Sequence, residues 1–219
     1  MALLEVGLGV VARAGAGGSY FVDGHRGAAI IAAHLFAAHL EPAARAQLFE
    51  LVKSQLLDKV VAQPFPAGET AAPEALAQVL AALEGSMGEL REVGHNIIVG
   101  TLALRAVRMQ PHLLTPTRAK GIVTTLQSFH AWPTYDDSDG VLRGDMRADA
   151  AVLGPEFASE SGAAFAEVVL REYLTLLKLW RGRGQGWAGH MLTYGQAVLD
   201  LERLGHTDLF AKSKEAFRQ

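Results

Sequence analysis

The chain has 219 residues, half of them hydrophobic and a fifth charged, with a formal net charge of −3 and no cysteine. This balance, without any basic run, excludes general affinity for nucleic acid, which needs surplus Lys and Arg to displace counterions. The absence of cysteine excludes disulfides, thiolate zinc sites, iron–sulfur clusters and cysteine nucleophiles.

The opening Met1-Ala2-Leu3-Leu4-Glu5 lacks the basic start of a secretion signal, so a cytoplasmic location is expected. Leu3 to Arg13 reads as a short helix, ended by Gly15-Ala16-Gly17-Gly18. A second helix spans His25 to Leu40. Glu41-Pro42 then puts a proline in the first turn of a third, reaching Ala62. Pro64-Phe65-Pro66-Ala67-Gly68 is a loop, and Pro73 opens a helix that ends near Gly85. Ser86-Met87-Gly88-Glu89 matches a capping box.

His95 to Met109 is the next helix, and Thr115-Pro116 caps and starts another to about Ala131. Trp132 to Asp149 is the longest irregular stretch and carries Asp136-Asp137-Ser138-Asp139-Gly140. With Gly140 at the sixth position of a calcium loop, Tyr135 and Met146 would fall at its first and twelfth positions, so the stretch reads as a solvated acidic loop. Ser159 or Ser161 caps a long helix to Trp180. Its apolar run is broken by Glu167, Arg171, Glu172 and Lys178, too many charges for a membrane span. Arg181-Gly182-Arg183-Gly184-Gln185-Gly186 leads into a helix from His190 to Leu204, and Thr207 caps the last one.

Alternation of apolar and polar residues never persists long enough for a strand. Alanine and leucine, which lose little side-chain entropy in a helix, dominate. The expectation is an all-α fold of about ten helices, stacked as hairpins in a bundle or an α/α toroid. No shift in composition marks a boundary, so residues 1–219 read as a single all-helical domain.

One pattern recurs. Gly24-His25-Arg26-Gly27, Gly94-His95-Asn96-Ile97-Ile98-Val99-Gly100 and Gly189-His190-Met191-Leu192-Thr193-Tyr194-Gly195 each place Gly-His at an expected helix start. The second and third also share Gly five residues, Leu nine residues and Arg thirteen residues after the histidine. At about 100° per residue, His95 falls on the stripe of Ile98, Val99, Leu102 and Ala106. His190 falls with Thr193, Tyr194, Ala197 and Leu201, and His25 with Ala29, Ala32, Phe36 and His39. Each imidazole is thus expected on a buried side and in a first turn. There the helix dipole and burial both favour the neutral ring, able to accept a proton or bind a metal. Small neighbours (Gly27, Ala28, Ala29, Gly100, Gly195) would let helices approach closely or leave a cavity. The plain structural alternative is that each Gly-His is a cap whose ring bonds to a neighbouring loop.

Three neutral histidines could ligate a metal if they converge, although no His-x-x-x-His spacing forces this. Arg181 and Arg183, in a glycine-rich loop before a helix, offer an anion cradle for a cofactor, the plainer reading being a flexible helix connection. The loop matches neither a Walker A nor a Rossmann fingerprint. Trp180 and Trp187 flank it and could line a cavity for an aromatic ligand or simply pack. No Gly-x-Ser-x-Gly nucleophile elbow occurs.

The segment His95-Asn96-Ile97-Ile98-Val99-Gly100-Thr101-Leu102-Ala103-Leu104-Arg105 resembles the His-x-x-Ile helix of questin-oxidase-like proteins. Those are all-helical enzymes of aromatic polyketide breakdown, associated with reduced nicotinamide and oxygen. The resemblance covers under a tenth of the chain and implies a functional role for His95. Asn96 departs from it, since a small residue would be expected there.

The resulting expectation is a small-molecule enzyme with a His-lined, largely apolar helical cavity, an oxidoreductase acting on an aromatic or polyketide-like substrate. His95 and His190 would be acid/base or ligand groups, Tyr194 a hydroxyl donor and His25 a third polar anchor. Cofactor candidates are a divalent metal and diffusible nicotinamide. No nucleic-acid or membrane partner is expected, and a homo-oligomer is compatible with the sequence. The alternatives are a helical-repeat scaffold that binds other proteins and a non-catalytic ligand carrier.

Overall fold

The computed structural model describes residues 3–17, 20–60, 69–88, 91–130, 161–179 and 185–217. Among them run nine α-helices: α1 (Leu3–Ala14), α2 (Tyr20–Ala37), α3 (Pro42–Gln55), α4 (Leu76–Gly85), α5 (His95–Met109), α6 (Pro116–Ser128), α7 (Gly162–Leu179), α8 (Gln185–Arg203) and α9 (Thr207–Phe217). Short helical turns occupy Leu57–Lys59, Pro73–Ala75, Glu92–Gly94 and Pro111–Leu113. The fold is all-α. No helix among the described residues is long and apolar enough to cross a membrane.

Helix ends follow the local signals where a cap or proline fixes them. Pro116 follows Thr115, whose hydroxyl accepts from the Arg118 N–H at 3.4 Å. Ser161 accepts from the Ala164 N–H at 3.5 Å and so caps α7. Two starts differ from the sequence expectation. Both α2 and α8 begin five residues before the histidine of their Gly-His pair, so His25 and His190 stand about a turn and a half inside their helices. A glycine in a helix costs about 1 kcal/mol relative to alanine, too little to stop a helix that packing stabilises. The first-turn dipole argument therefore holds for His95 alone. Nor does a helix begin after Ser86: residues 86–88 form a turn, and the Ser86 hydroxyl accepts instead from Asn96. Helix α3 ends at Gln55, short of Ala62. The segments 64–68, 132–149 and 181–184, with Arg181 and Arg183, lie outside the described residues, as does Trp180.

By packing, the chain divides into two compact units: Met1–Leu83 with Leu102–Phe129, and Glu84–Thr101 with residues 130–219.

In the first unit α1 packs between α2 and α6, and small residues set the distances. A Cβ on Gly27 would lie 2.8 Å from the Gly7 carbonyl oxygen, and one on Gly121 only 2.1 Å from that of Ala12. Backbones meet at these crossings, so the intervening leucines and isoleucines close the core: Leu4, Leu8, Ile31, Ile122 and Leu126 are fully buried. Thr125 joins α6 to the end of α1, its hydroxyl donating to the Val11 carbonyl at 2.7 Å and accepting from the Gly15 N–H at 2.9 Å. The approach through Gly27 also decides which side of α2 is buried. Gly24, Gly27, Ala28 and Ile31 turn inward. The stripe expected to accompany His25 into the core does not: Ala29 and His39 are exposed, and Phe36 is 57% exposed.

In the second unit α8 packs against α7 and α9. Phe165 on α7 meets Phe217 on α9 edge to face at 5.3 Å, and Phe217 meets Tyr194 on α8 at 5.1 Å. At Gly195 a Cβ would lie 2.8 Å from the Val169 side chain, so here the glycine predicted to allow close approach does so.

Two outcomes are expected from this packing. Gly121→Ala should destabilise the protein by about 1–3 kcal/mol in urea unfolding, the cost of overpacking against a backbone that cannot swing away. A variant of equal or greater stability would contradict the close crossing. His206, whose carbonyl accepts the Phe210 N–H at 2.9 Å at the start of α9, is partly buried, and burial lowers its pKa from the ordinary 6.5. The unfolded chain therefore binds more protons between the two values. The neutral ring's contribution is complete above the unfolded pKa and is lost as pH falls through the folded one. His206→Asn, which removes the titrating ring and supplies a side chain favoured at helix starts, should flatten the fall in melting temperature as pH drops below about 6.5.

Candidate functional site: a histidine pair behind a left-handed turn

The site begins with three residues of unusual backbone. Glu92, Val93 and Gly94 have φ of 44°, 56° and 84°, a left-handed turn set directly against right-handed α5. Gly94 adopts this freely. For Glu92 and Val93 the conformation costs roughly 1–2 kcal/mol each, and a β-branched residue there is a genuine outlier. The turn survives because its surroundings over-determine it. The Gly94 N–H bonds to the Arg91 carbonyl at 2.9 Å. The Glu92 carboxylate faces the His130 N–H at 3.5 Å. The Tyr194 ring lies flush against Gly94, where a Cβ would come within 2.4 Å of a ring carbon.

The turn's product is the orientation of His95. The Glu92 carbonyl accepts both the backbone N–H of His95 and its ring Nδ1. A carbonyl can only accept, so Nδ1 carries a proton, and whenever the ring is neutral its lone pair lies on Nε2. His95 is buried, 3% exposed, as are its neighbours Asn96 and Ile97. Asn96 fixes the first turn of α5 from the other side, donating through Nδ2 to the Ser86 carbonyl at 2.9 Å and to its hydroxyl at 3.0 Å.

From α8, His190 brings its own Nε2 to 3.0 Å from Nε2 of His95, the rings 4.5 Å apart and tilted by 54°. The second unit thus joins two of the histidines that the sequence singled out. One turn along α8, Tyr194 is buried with its hydroxyl 3.5 Å from the Ser213 carbonyl on α9. Burial pushes its pKa well above the ordinary phenol value, so it stays protonated. Its ring thus holds the turn, and its hydroxyl engages α9.

His25 belongs to the first unit. Its Nδ1 donates to the Phe21 carbonyl one turn back at 2.6 Å, and its ring meets Phe21 edge to face at 4.5 Å. By the same reasoning as for His95, its Nδ1 carries a proton.

Glu92 and Val93, which aim His95, were not singled out from the sequence. Gly94 was the available signal, since a glycine abutting a helix start is where a left-handed residue is most easily placed. Nothing in the sequence shows a valine held there.

Comparison with known protein families, with curated proteins and with solved structures found no match for this chain.

Gly94→Ala should destabilise the protein by about 1–3 kcal/mol, because it forces a Cβ into the Tyr194 ring at a left-handed position. The ring resonances of His95 and His190 should shift together in its NMR spectrum. Unchanged stability with unchanged resonances would show that the turn does not position the pair.

Proposed function

We propose that the chain is an enzyme acting on a small, largely apolar molecule, with His95 and His190 as its acid/base pair. The observation that carries this reading is the strained backbone that aims a buried imidazole at a second one. A neutral hydrogen bond between two rings contributes about 0.5–1.5 kcal/mol net. Two non-glycine left-handed residues cost more than that, about 2–4 kcal/mol together. Strain of this kind gathers where a side chain must be held ready for chemistry.

In the neutral pair one Nε2 bears a proton and the other accepts it. A substrate hydroxyl or acidic C–H brought to the pair meets a base, and the leaving oxygen meets an acid. Buried apolar neighbours, Ile97 and Val99, favour an aromatic or aliphatic body bearing one or two oxygens. The resemblance of residues 95–105 to questin-oxidase-like proteins supports an oxygenation of an aromatic substrate, with molecular oxygen as the oxidant and diffusible reduced nicotinamide supplying the two electrons that carry the second oxygen atom to water.

The test is a panel of hydroxylated naphthalenes and anthraquinones titrated into the protein while the histidine ring resonances are followed. At least one compound should shift the His95 and His190 rings. His190→Gln should weaken its binding about tenfold, equivalent to 1.4 kcal/mol and to one buried hydrogen bond. A panel that moves neither ring, or a His190→Gln variant that binds as tightly as the wild type, would overturn the reading. Binding without turnover under oxygen and reduced nicotinamide would make the chain a carrier.

A further inference from the structure

Helix α8 touches the left-handed turn and its histidine twice, through Tyr194 against Gly94 and, one turn earlier, through His190 against His95. The second of these contacts depends on a proton. We propose that the His95–His190 pair is a proton-operated latch on α8, closed while one hydrogen lies between the two Nε2 atoms and open when both rings are charged. It acts on the pair already assigned to small-molecule chemistry, and it rests on that reading only for what the latch releases.

The gap sets the proton count. At 3.0 Å the two Nε2 atoms are at hydrogen-bond distance, so one donates and the other accepts. One charge on the pair is compatible with this, because an imidazolium N–H on a neutral ring nitrogen makes a charge-assisted bond. A second charge is not. Both Nε2 atoms then carry hydrogen, both are donors, and two positive rings face each other with centroids 4.5 Å apart. No group fits between nitrogens 3.0 Å apart, so no neighbouring carboxylate can accept both hydrogens while the contact lasts.

The charged groups on the surrounding elements do not alter this count. The turn brings Arg91 and Glu92, whose carboxylate faces the His130 N–H at 3.5 Å. On α8, Tyr194 stays protonated. On α7, Arg171 pairs with Glu172 at 3.5 Å and Glu167 is exposed. On α9, Lys214 lies 4.4 Å over the Phe210 ring and Lys212 pairs with Glu84. The unit's other imidazoles are His130, which is exposed, and His206 at the start of α9.

The two sides of the latch differ. His95 is buried, and its Nδ1–H stays on the Glu92 carbonyl whether or not Nε2 is protonated. His190 is half-buried and stands in the second turn of α8, near the helix start. Helix ends open at lower cost than helix middles. The ring that leaves is therefore His190, and the start of α8 goes with it. A ligand oxygen held by the closed pair is then released in acid.

The test follows the full chain from about pH 7.5 to about pH 4.5 by amide hydrogen exchange and by nitrogen-15 NMR of the histidine rings, which reports the hydrogens on each ring. The two rings should titrate in coupled steps. Below about pH 6.5, where an imidazole in water charges, both should become doubly protonated. In the same interval the amides of residues 185–194 should lose protection. The open pair holds one proton more than the closed one. Protection, corrected for intrinsic exchange, should therefore fall about tenfold per pH unit. His190→Gln, whose amide donates to His95 but cannot charge, should remove this dependence. In a His206→Asn background it should persist, which separates the latch from the titration at the start of α9.

Wild-type α8 that keeps its protection while both rings charge would overturn the inference, as would rings that never charge together in that range. So would a His190→Gln variant that opens over the same interval as the wild type. The wild-type titration decides by itself, so nothing hangs on the folding of the variant. Acid opening of α8 with no response to the naphthalene and anthraquinone probes would keep the latch and remove the small-molecule reading. Probe binding with α8 protected throughout would have the opposite meaning.

Discussion

One hydrogen bond orders the chemistry of this molecule: the ring Nδ1–H of His95 to the carbonyl of Glu92. With that proton committed, Nε2 is the ring nitrogen that meets His190, at 3.0 Å. The Glu92 carbonyl can reach the ring because the chain turns left-handed before α5. Remove the turn and the imidazole would be free to rotate about its own side-chain bonds, and the 3.0 Å approach to His190 would have no fixed partner. The supporting contacts, Tyr194 on Gly94 and Asn96 on Ser86, lie around the turn and hold it from different directions.

The first unit is built on a different principle. Its helices meet backbone to backbone at Gly7, Gly27 and Gly121, where a single methyl would collide with a carbonyl oxygen. Such crossings favour one arrangement, since the crossing point can move only if a glycine moves with it. The polar links there, Thr125 to the end of α1 and Arg118 to Glu5 at 3.1 Å, tie helix ends rather than faces. In the second unit aromatic rings do the corresponding work, with Phe165, Phe217 and Tyr194 interlocking α7, α8 and α9.

What could be read from residues alone divides along a physical line. Helix content and the caps at Thr115 and Ser161 were legible because propensity and capping are local. Gly195 was legible as a point of close approach or a cavity, but not which helix, α7, would meet it there. Glycine as punctuation misled at Gly24 and Gly189, where tertiary packing outweighs a penalty of about 1 kcal/mol and the helices run straight through. The buried stripe assigned to His25 failed for a related reason. Periodicity gives the pattern on a helix, but close approach through Gly27 chose a different side of α2. The histidines themselves stood out by repetition. The residues that aim His95 did not, because a left-handed Val93 has no sequence signature.

The meeting of opposite hands at Gly94 has a consequence for the sliding freedom of α5. A right-handed helix usually frays or gains a residue at its end at little cost, which lets its register drift among homologous or engineered sequences. Here the preceding residues coil the other way, so α5 cannot lengthen backward by one position without unwinding Glu92 and Val93 first. The turn acts as a stop, and it fixes the angular phase of every side chain on the first turns of the helix. An inserted or deleted residue between Arg91 and His95 would rotate the imidazole by about 100°, away from His190 altogether.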